Sequence, residues 1–296
     1  MNKKIVVLGG GESGVGAAIL AKDKGMDVFL SDYGKIAPHY KQQLIDEGIA
    51  WEEGGHDESR ILAADEVIKS PGIAPTAPIM VKIAERGIPV ISEIEFAGRY
   101  TDAKMVCITG SNGKTTTTLL TYHILKNAGI NVGLAGNVGR SLALQVAREH
   151  HDVYVIELSS FQLENMYEFK ANIAVMLNIT PDHLDRYDYK MQNYVNAKFR
   201  IIRNLTPEDA FIFWQDDPVI QAQLRQVTTE ARMYPFSEHL EKDVDAYIDA
   251  DDELVLNTSH TSLKMPRNHL ALHGLHNLYN SMAAGLSACF LDIRKE

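Results

Sequence analysis

Cys107-Ile108-Thr109-Gly110-Ser111-Asn112-Gly113-Lys114-Thr115-Thr116 places a lysine and two hydroxyls behind a glycine-flanked turn. The run Met105 to Ile108 ahead of it is apolar and reads as a strand, and Thr115 to Ala128 reads as a helix. Strand, turn, lysine and helix start, in that order, build a phosphate cradle. Glycines let backbone N–H groups close around an anion, the helix N-terminus adds its positive end, and Lys114 supplies a mobile charge. Thr115 would offer its hydroxyl to magnesium. The spacing departs from the full G-x-x-x-x-G-K-[ST] pattern, because Ile108 stands where the first glycine belongs. A Gly-Lys-Thr triplet also suits a plain helix-start turn. Thr116 and the apolar strand before the turn favour a nucleotide site.

Working outward, 296 residues are enough for about two domains with substantial cores. At 45% hydrophobic and 23% charged, the composition is that of an ordinary globular protein. The formal charge of −10 is spread evenly, with no basic platform, which argues against nucleic acid or an anionic membrane surface as partner. Cys107 and Cys289 sit in apolar contexts and read as core filler in a reducing compartment. The N-terminus runs through Met-Asn-Lys-Lys straight into a short apolar strand, so no signal peptide is expected there. No apolar stretch reaches membrane-spanning length. A cytoplasmic protein is expected.

Strand-like and helix-like runs alternate, which predicts an α/β fold of parallel sheets with helical crossovers. Lys4 to Leu8, Val28 to Leu30, Val67 to Ile68 and Pro89 to Ile91 read as strands of a first unit. Helices are expected near Val15 to Lys24, His39 to Glu47 and Ala77 to Arg86. A polar break at Thr101 to Lys104 divides residues 1–102 from 103–296. The second unit's strands would be Lys104 to Ile108, Asn131 to Leu134, Val153 to Glu157, Ile173 to Leu177 and Ala210 to Trp214. An alternating, β-like patch from Ala246 to Leu263 precedes a helix from Leu275 to Phe290. Asp292 to Glu296 stop without a glycine cap or turn, as at a cut between domains or at a frayed terminus.

Gly9-Gly10-Gly11-Glu12-Ser13-Gly14 satisfies G-x-G-x-x-G between a strand and a helix, and Asp32 ends the next strand where a ribose-binding acid would sit. That makes the first unit Rossmann-like, though such glycines also serve close helix–strand packing alone. Ser70-Pro71-Gly72-Ile73 adds a turn on the same C-terminal rim. In the second unit Glu157 ends an apolar strand beside the phosphate loop, placed either to hold magnesium or to cap a helix. Asn178 to Tyr187 follows another strand and is more polar than a connector needs, with His183 a candidate metal ligand or hydrogen-bond donor. Lys198 lies in a largely apolar and aromatic helix, Asn193 to Arg203, where lysines ordinarily snorkel to solvent.

Taken together, Gly110-Ser-Asn-Gly-Lys-Thr-Thr116, Gly136-Asn-Val-Gly139, Glu157-Leu-Ser-Ser-Phe-Gln-Leu-Glu164, Asn178 to Tyr187, Lys198 and Gly274-Leu-His-Asn-Leu-Tyr-Asn280 resemble the Mur ligases of peptidoglycan synthesis. The string from Glu157 to Glu164 is similar to that of the D-glutamate-adding branch. The resemblance runs in order along the whole chain. It implies a Rossmann-like domain for the uridine diphosphate of the substrate and a P-loop-type central ATP domain, with the family's C-terminal domain absent here. A fragment without that domain's ATP and amino-acid contacts would not be expected to turn over.

The resemblance also assigns roles. ATP would lie on Gly110, Ser111, Asn112, Gly113, Lys114, Thr115 and Thr116, with Asn277 and Asn280 on its side; as residues alone these two asparagines equally suit helix-start caps. Glu12 and Ser13 would lie near the diphosphate, Asp32 near the uracil or its sugar, and Ser70, Pro71 and Gly72 along the nucleotide rim. Tyr33-Gly34 departs from the small-polar-then-basic pair expected after Asp32. Asn137, Ser159 and His183 would contact the muramoyl-alanine arm. One magnesium would be held by Thr115 and the phosphates, and a second by Glu157, His183 and a carbamylated Lys198, whose modification converts a cation into an anionic oxygen ligand. The implied substrates are UDP-N-acetylmuramoyl-L-alanine and D-glutamate, joined through an acyl phosphate by a monomeric enzyme. Another muramoyl ligase, a folyl-polyglutamate-type ligase and, more remotely, a nicotinamide-dependent oxidoreductase are the alternatives.

Overall fold

A computed structural model describes residues 2–239, 243–258 and 261–291. Asp292 to Glu296, expected to mark a cut between domains, lie outside these described residues. Five strands, β1 (Lys4–Leu8), β2 (Asp27–Asp32), β3 (Ala50–Glu53), β4 (Glu66–Lys69) and β5 (Val90–Ile91), pair in parallel in the order β3-β2-β1-β4-β5. Helices α1 (Glu12–Asp23), α2 (Pro38–Asp46), α3 (Glu58–Ile61), α4 (Pro78–Glu85) and α5 (Glu93–Gly98) supply the crossovers and the exit. Ile5 to Leu8 are all buried because a parallel strand under helices has no solvent face, which is why β1 reads as an unbroken apolar run. The strand order reverses at β1, so the loops after β1 and β4 open on one crevice at the sheet's C-terminal rim.

Beyond Asp102, nine strands among the described residues form a second sheet. Its strands are β6 (Lys104–Thr109), β7 (Val132–Gly136), β8 (Val153–Glu157), β9 (Ile173–Met176), β10 (Ala210–Trp214), β11 (Arg232–Phe236), β12 (Ala246–Ile248), β13 (Glu253–Asn257) and β14 (Ser262–Pro266). They lie in the order β14-β13-β12-β11-β10-β9-β6-β8-β7, parallel from β7 to β12 and closed by an antiparallel β12–β13–β14 meander. The helices are α6 (Lys114–Asn127), α7 (Leu142–Arg148), α8 (Ser160–Leu163), α9 (Met191–Phe199), α10 (Pro218–Leu224) and α11 (Leu275–Phe290). Leu278, Met282 and Leu286 of α11 join Val106, Val155, Val175 and Ile212 of the sheet in one buried cluster.

The chain divides into two compact units. One holds everything up to Asp102 together with Gly139–His150 and Phe161–Phe169; the other holds Ala103–Val138, His151–Ser160 and Lys170 onward. Two buried carboxylates of α5 hold the returning segments in the first unit. Glu93 accepts hydrogen bonds from the Ala143 N–H at 2.6 Å and the Ser141 hydroxyl at 2.8 Å, fixing the start of α7. Glu95 accepts from the N–H groups of Tyr167, Glu168 and Phe169 at 2.9, 3.2 and 2.9 Å.

Burial pushes the Glu93 carboxyl from its ordinary 4.5 up to about 7, against the opposing pull of Ala143 and Ser141. A carboxyl raised in the folded state binds its proton more tightly there than in the unfolded chain. Its contribution is therefore full below pH 4.5 and is lost as the pH climbs through 7, a change of about 3 kcal/mol at most. Urea unfolding of Glu93→Gln across that range is expected to show a flatter pH dependence than the wild type; an unchanged slope would assign the dependence to other groups.

Candidate active site

The phosphate loop leaves β6 at Thr109 and enters α6 at Lys114. Gly113 caps α6 with φ +84°, and a Cβ there would meet the Asn280 Oδ1 at 2.5 Å, so only glycine fits both the turn and the neighbour. The first-turn N–H groups of α6 have no partners within the helix, which leaves them for an anion. The loop is held open from the side by residues 178–180. The Asn178 Oδ1 accepts from the Asn112 N–H at 2.8 Å, and the Asn178 amide donates to the Asn112 carbonyl at 2.9 Å. The Ser111 hydroxyl donates to the Thr180 carbonyl and accepts from the Thr180 N–H, both at 2.9 Å. The Lys114 ammonium rests on the Ser111 carbonyl at 2.9 Å.

Glu157 lies at the end of β8, the parallel neighbour of β6, and is 1% exposed. The Thr115 hydroxyl donates to its Oε2 at 2.7 Å and the Asn137 amide to its Oε1 at 2.8 Å. Both donors are neutral, and Glu157 makes no ion pair among the described residues. A buried carboxylate beside a hydroxyl, with no counter-charge of its own, fits a hard divalent cation such as magnesium. No three His, Cys, Asp or Glu side chains among the described residues form a ready-made metal cage. A cation here would need phosphate oxygens to complete its shell, as magnesium commonly does.

Lys198 does not snorkel. It is 2% exposed and donates to the Gly110 carbonyl at 2.8 Å, with its ammonium 4.7 Å from the centre of the Tyr194 ring. Burial, aided by the nearby Lys114 charge, brings its pKa down from 10.5 to about 7. Tyr194, one helical turn before it, also meets the Ser111 hydroxyl at 3.0 Å. The four-residue spacing to Lys198 puts the two on one face and was the available signal for Tyr194.

His183 has a left-handed backbone, φ +49°, and an exposed ring with Nε2 3.6 Å from the Asp182 carboxylate. Asn280 accepts from the Thr117 hydroxyl at 3.0 Å and donates to Asn277, whose amide donates to the His273 carbonyl. The two asparagines thus brace α11 against α6, and neither caps the α11 N-terminus. Thr116 sits half-buried in the first turn of α6, and Ser159 half-buried just after Glu157. Asp217, which carried no motif signal, accepts from the Ile179 N–H and caps α10, so it anchors the 178–180 segment.

In the first unit, Asp32 accepts from the Gly10 N–H at 2.6 Å and the Gly34 N–H at 2.7 Å, holding the glycine loop. Gly9 has φ +99°, and a Cβ on it would lie 2.3 Å from the Ser70 hydroxyl, so the β1 and β4 loops touch only because Gly9 is bare. Lys69, buried and unremarked in sequence, donates to the Ser70 and Ile73 carbonyls and so shapes the Ser70-Pro71-Gly72 turn. Glu12 opens α1, its carboxylate accepting from the Tyr40 hydroxyl and the Ser141 N–H; Ser13 follows in the same turn. A cavity of about 630 Å³ lies on this rim, lined by Gly9, Asp32, Tyr33, His56 and Ile73 among others.

A profile for the Mur ligase middle domain matches residues 108–288, and one for the MurD-like N-terminal domain of Mur ligases matches residues 3–92. The chain belongs to the Mur ligase family. A UDP-N-acetylmuramoylalanine–D-glutamate ligase of Bacteroides fragilis is 64% identical over 294 residues, 99% of this chain and 66% of the relative. The enzyme of the same name from Porphyromonas gingivalis is 57% identical over 293 residues, 99% of this chain and 65% of the relative. This Mur ligase chain therefore spans about two thirds of the length of the curated relatives it matches. Among solved structures, a UDP-N-acetylmuramate:L-alanyl-gamma-D-glutamyl-meso-diaminopimelate ligase from Neisseria meningitides superposes with a TM-score of 0.67 at 20% identity, covering 98% of this chain and 94% of that one. The UDP-N-acetylmuramate–alanine ligase of Thermotoga maritima gives 0.56 at 21% identity, covering 99% and 66%. At those identities the two structures establish the shared Mur ligase fold.

Proposed function

We propose that this chain carries the nucleotide-substrate and ATP sites of a UDP-N-acetylmuramoyl-L-alanine–D-glutamate ligase. The carrying observation is the buried Glu157 carboxylate, held by Thr115 and Asn137 beside the phosphate loop. The name borne by relatives 64% identical supplies the substrates. Residues 1–102 bind the uridine diphosphate and 103–296 bind ATP. The first-turn N–H groups of α1, with Ser13, meet the diphosphate. Asp32 has acceptor capacity left for the sugar, and Ser70, Pro71 and Gly72 form the rim.

ATP lies along Gly110 to Thr116, with Asn277 and Asn280 on its side and Lys114 swinging from the Ser111 carbonyl to the β and γ phosphates. Thr115 with the phosphates would hold one magnesium, and Glu157, His183 and a carbamylated Lys198 would hold a second; the metal would supply neutralisation of charge on the transferring phosphoryl group. Asn137, Ser159 and His183 orient the alanyl carboxylate in line with the γ-phosphorus. That carboxylate attacks, the bond to the β–γ bridging oxygen breaks, and ADP leaves an acyl phosphate. The D-glutamate amine then attacks the acyl carbon and loses a proton, and phosphate departs from the tetrahedral intermediate. Positioning and charge neutralisation carry the catalysis, because two anions must be brought together. The proposed enzyme acts as a monomer in the cytoplasm, the place of its nucleotide-linked small-molecule substrates. Separately, no helix among the described residues is long and apolar enough to cross a membrane.

A Lys198 pKa near 7 leaves much of the amine neutral at physiological pH, the form that adds to CO2 with loss of a proton. Carbon NMR of the protein in ¹³C-bicarbonate is expected to show a carbamate resonance that Lys198→Ala removes. Persistence of the resonance in the variant would assign it elsewhere. For the substrate assignment, calorimetric titration with UDP-N-acetylmuramoyl-L-alanine is expected to give saturable one-to-one binding, and NADH none. NADH binding without the muramoyl nucleotide would reverse it.

A further inference from the structure

His56 stands over the rim cavity of the first unit and belongs to none of the motifs that identify the family. Its position is set by a chain of short hydrogen bonds. Ser31 of β2 and Glu52 of β3 are register neighbours in the parallel pair, and Ser31 is fully buried. The Ser31 hydroxyl lies 2.6 Å from the Glu52 Oε1 and 2.6 Å from the His56 Nδ1. Glu52 takes a further hydrogen bond from the Asp57 N–H at 2.7 Å, which ties down the residue next to the imidazole.

Counting hydrogens fixes the ring. A hydroxyl has one proton, and a carboxylate can only accept, so the Ser31 proton goes to Glu52. The Ser31 oxygen must then accept, which makes Nδ1 the protonated nitrogen of the imidazole. In the neutral ring Nε2 carries a lone pair, and it makes no hydrogen bond among the described residues. Asp32 nearby is likewise acceptor-only, and both its oxygens are steadied by loop N–H groups. Glu58, the other acid on the cavity, is engaged at 2.6 Å by the Lys82 ammonium. Beside His56 the Tyr33 ring, 77% exposed, lies 5.7 Å away and tilted by 48°, which leaves its face for a planar group.

We infer that His56 selects the base of the nucleotide substrate, its Nε2 accepting the imide N3–H of uracil while Tyr33 stacks on the ring. The inference rests on the proposal that the first unit binds a uridine nucleotide. Cytosine carries a lone pair in place of that N–H and would oppose Nε2 with like polarity. The Glu52–Ser31–His56 chain does the positioning: without it the imidazole could present Nε2–H and favour the wrong base. Tyr33, where the family pattern leads one to expect a small polar residue, contributes affinity common to all bases.

The test is calorimetric titration of the chain with UDP, CDP and N3-methyl-UDP, using wild type, His56→Phe and Tyr33→Ala. Wild type is expected to bind UDP about tenfold more tightly than either other nucleotide, the factor one net hydrogen bond supplies. His56→Phe should bring UDP down to the level of the other two. Tyr33→Ala should weaken all three while preserving their ratio. Equal binding of UDP and N3-methyl-UDP by wild type would overturn the inference without recourse to any variant, as would a folded His56→Phe that keeps its UDP preference. If wild type binds neither UDP nor UDP-N-acetylmuramoyl-L-alanine, the nucleotide assignment of the first unit itself falls.

Discussion

A loop that binds phosphate must keep its backbone N–H groups turned outward while nothing is bound. The structure meets this constraint with polar side chains from one neighbouring segment. Asn178 and Thr180 saturate the loop at Asn112 and Ser111, Asp217 fixes that segment in turn, and Asn280 supports the other side where Gly113 leaves room. The loop is thereby braced by hydrogen bonds of the protein itself, and part of the cost of organising it is met in folding. Preorganised donors of this kind need not be reoriented when charge develops, which is the source of their catalytic advantage.

Charge is distributed by the same logic. Glu157 is buried beside neutral donors, and Lys198 is buried against a carbonyl and an aromatic ring with its pKa lowered to about 7. Neither arrangement is the best one for stability, since a buried ionisable group without an opposite charge costs free energy. Both suit a site whose charges are completed by what binds there. By contrast Glu93 and Glu95 serve architecture, receiving backbone N–H groups of segments that return to the first unit.

Strands buried on both faces were legible as apolar runs, so β1, β6, β8 and β10 stood out in the sequence. The helix from Leu275 to Phe290 was equally plain. β3 was missed because its residues are few, half-buried and partly acidic, as an edge strand permits. β11 was missed because Pro235 removes an N–H and breaks the pattern, although the strand lies between β10 and β12. The loops carrying Gly113, Lys114 and Glu157 stood out through residue order, each placed at a strand end as the sequence order implies. Tyr194 and the Glu52–Ser31–His56 chain did not, since they act through partners distant in sequence that only the fold assembles.

The proposed magnesium-dependent ATP site rests on Glu157, joined to Thr115 at the phosphate loop. Its most direct test is the affinity for ATP with and without magnesium, in wild type and in Glu157→Gln, which keeps the side chain's shape and removes its charge. Magnesium is expected to tighten ATP binding by wild type at least tenfold, and by the variant far less. An equal magnesium effect in both proteins would contradict it.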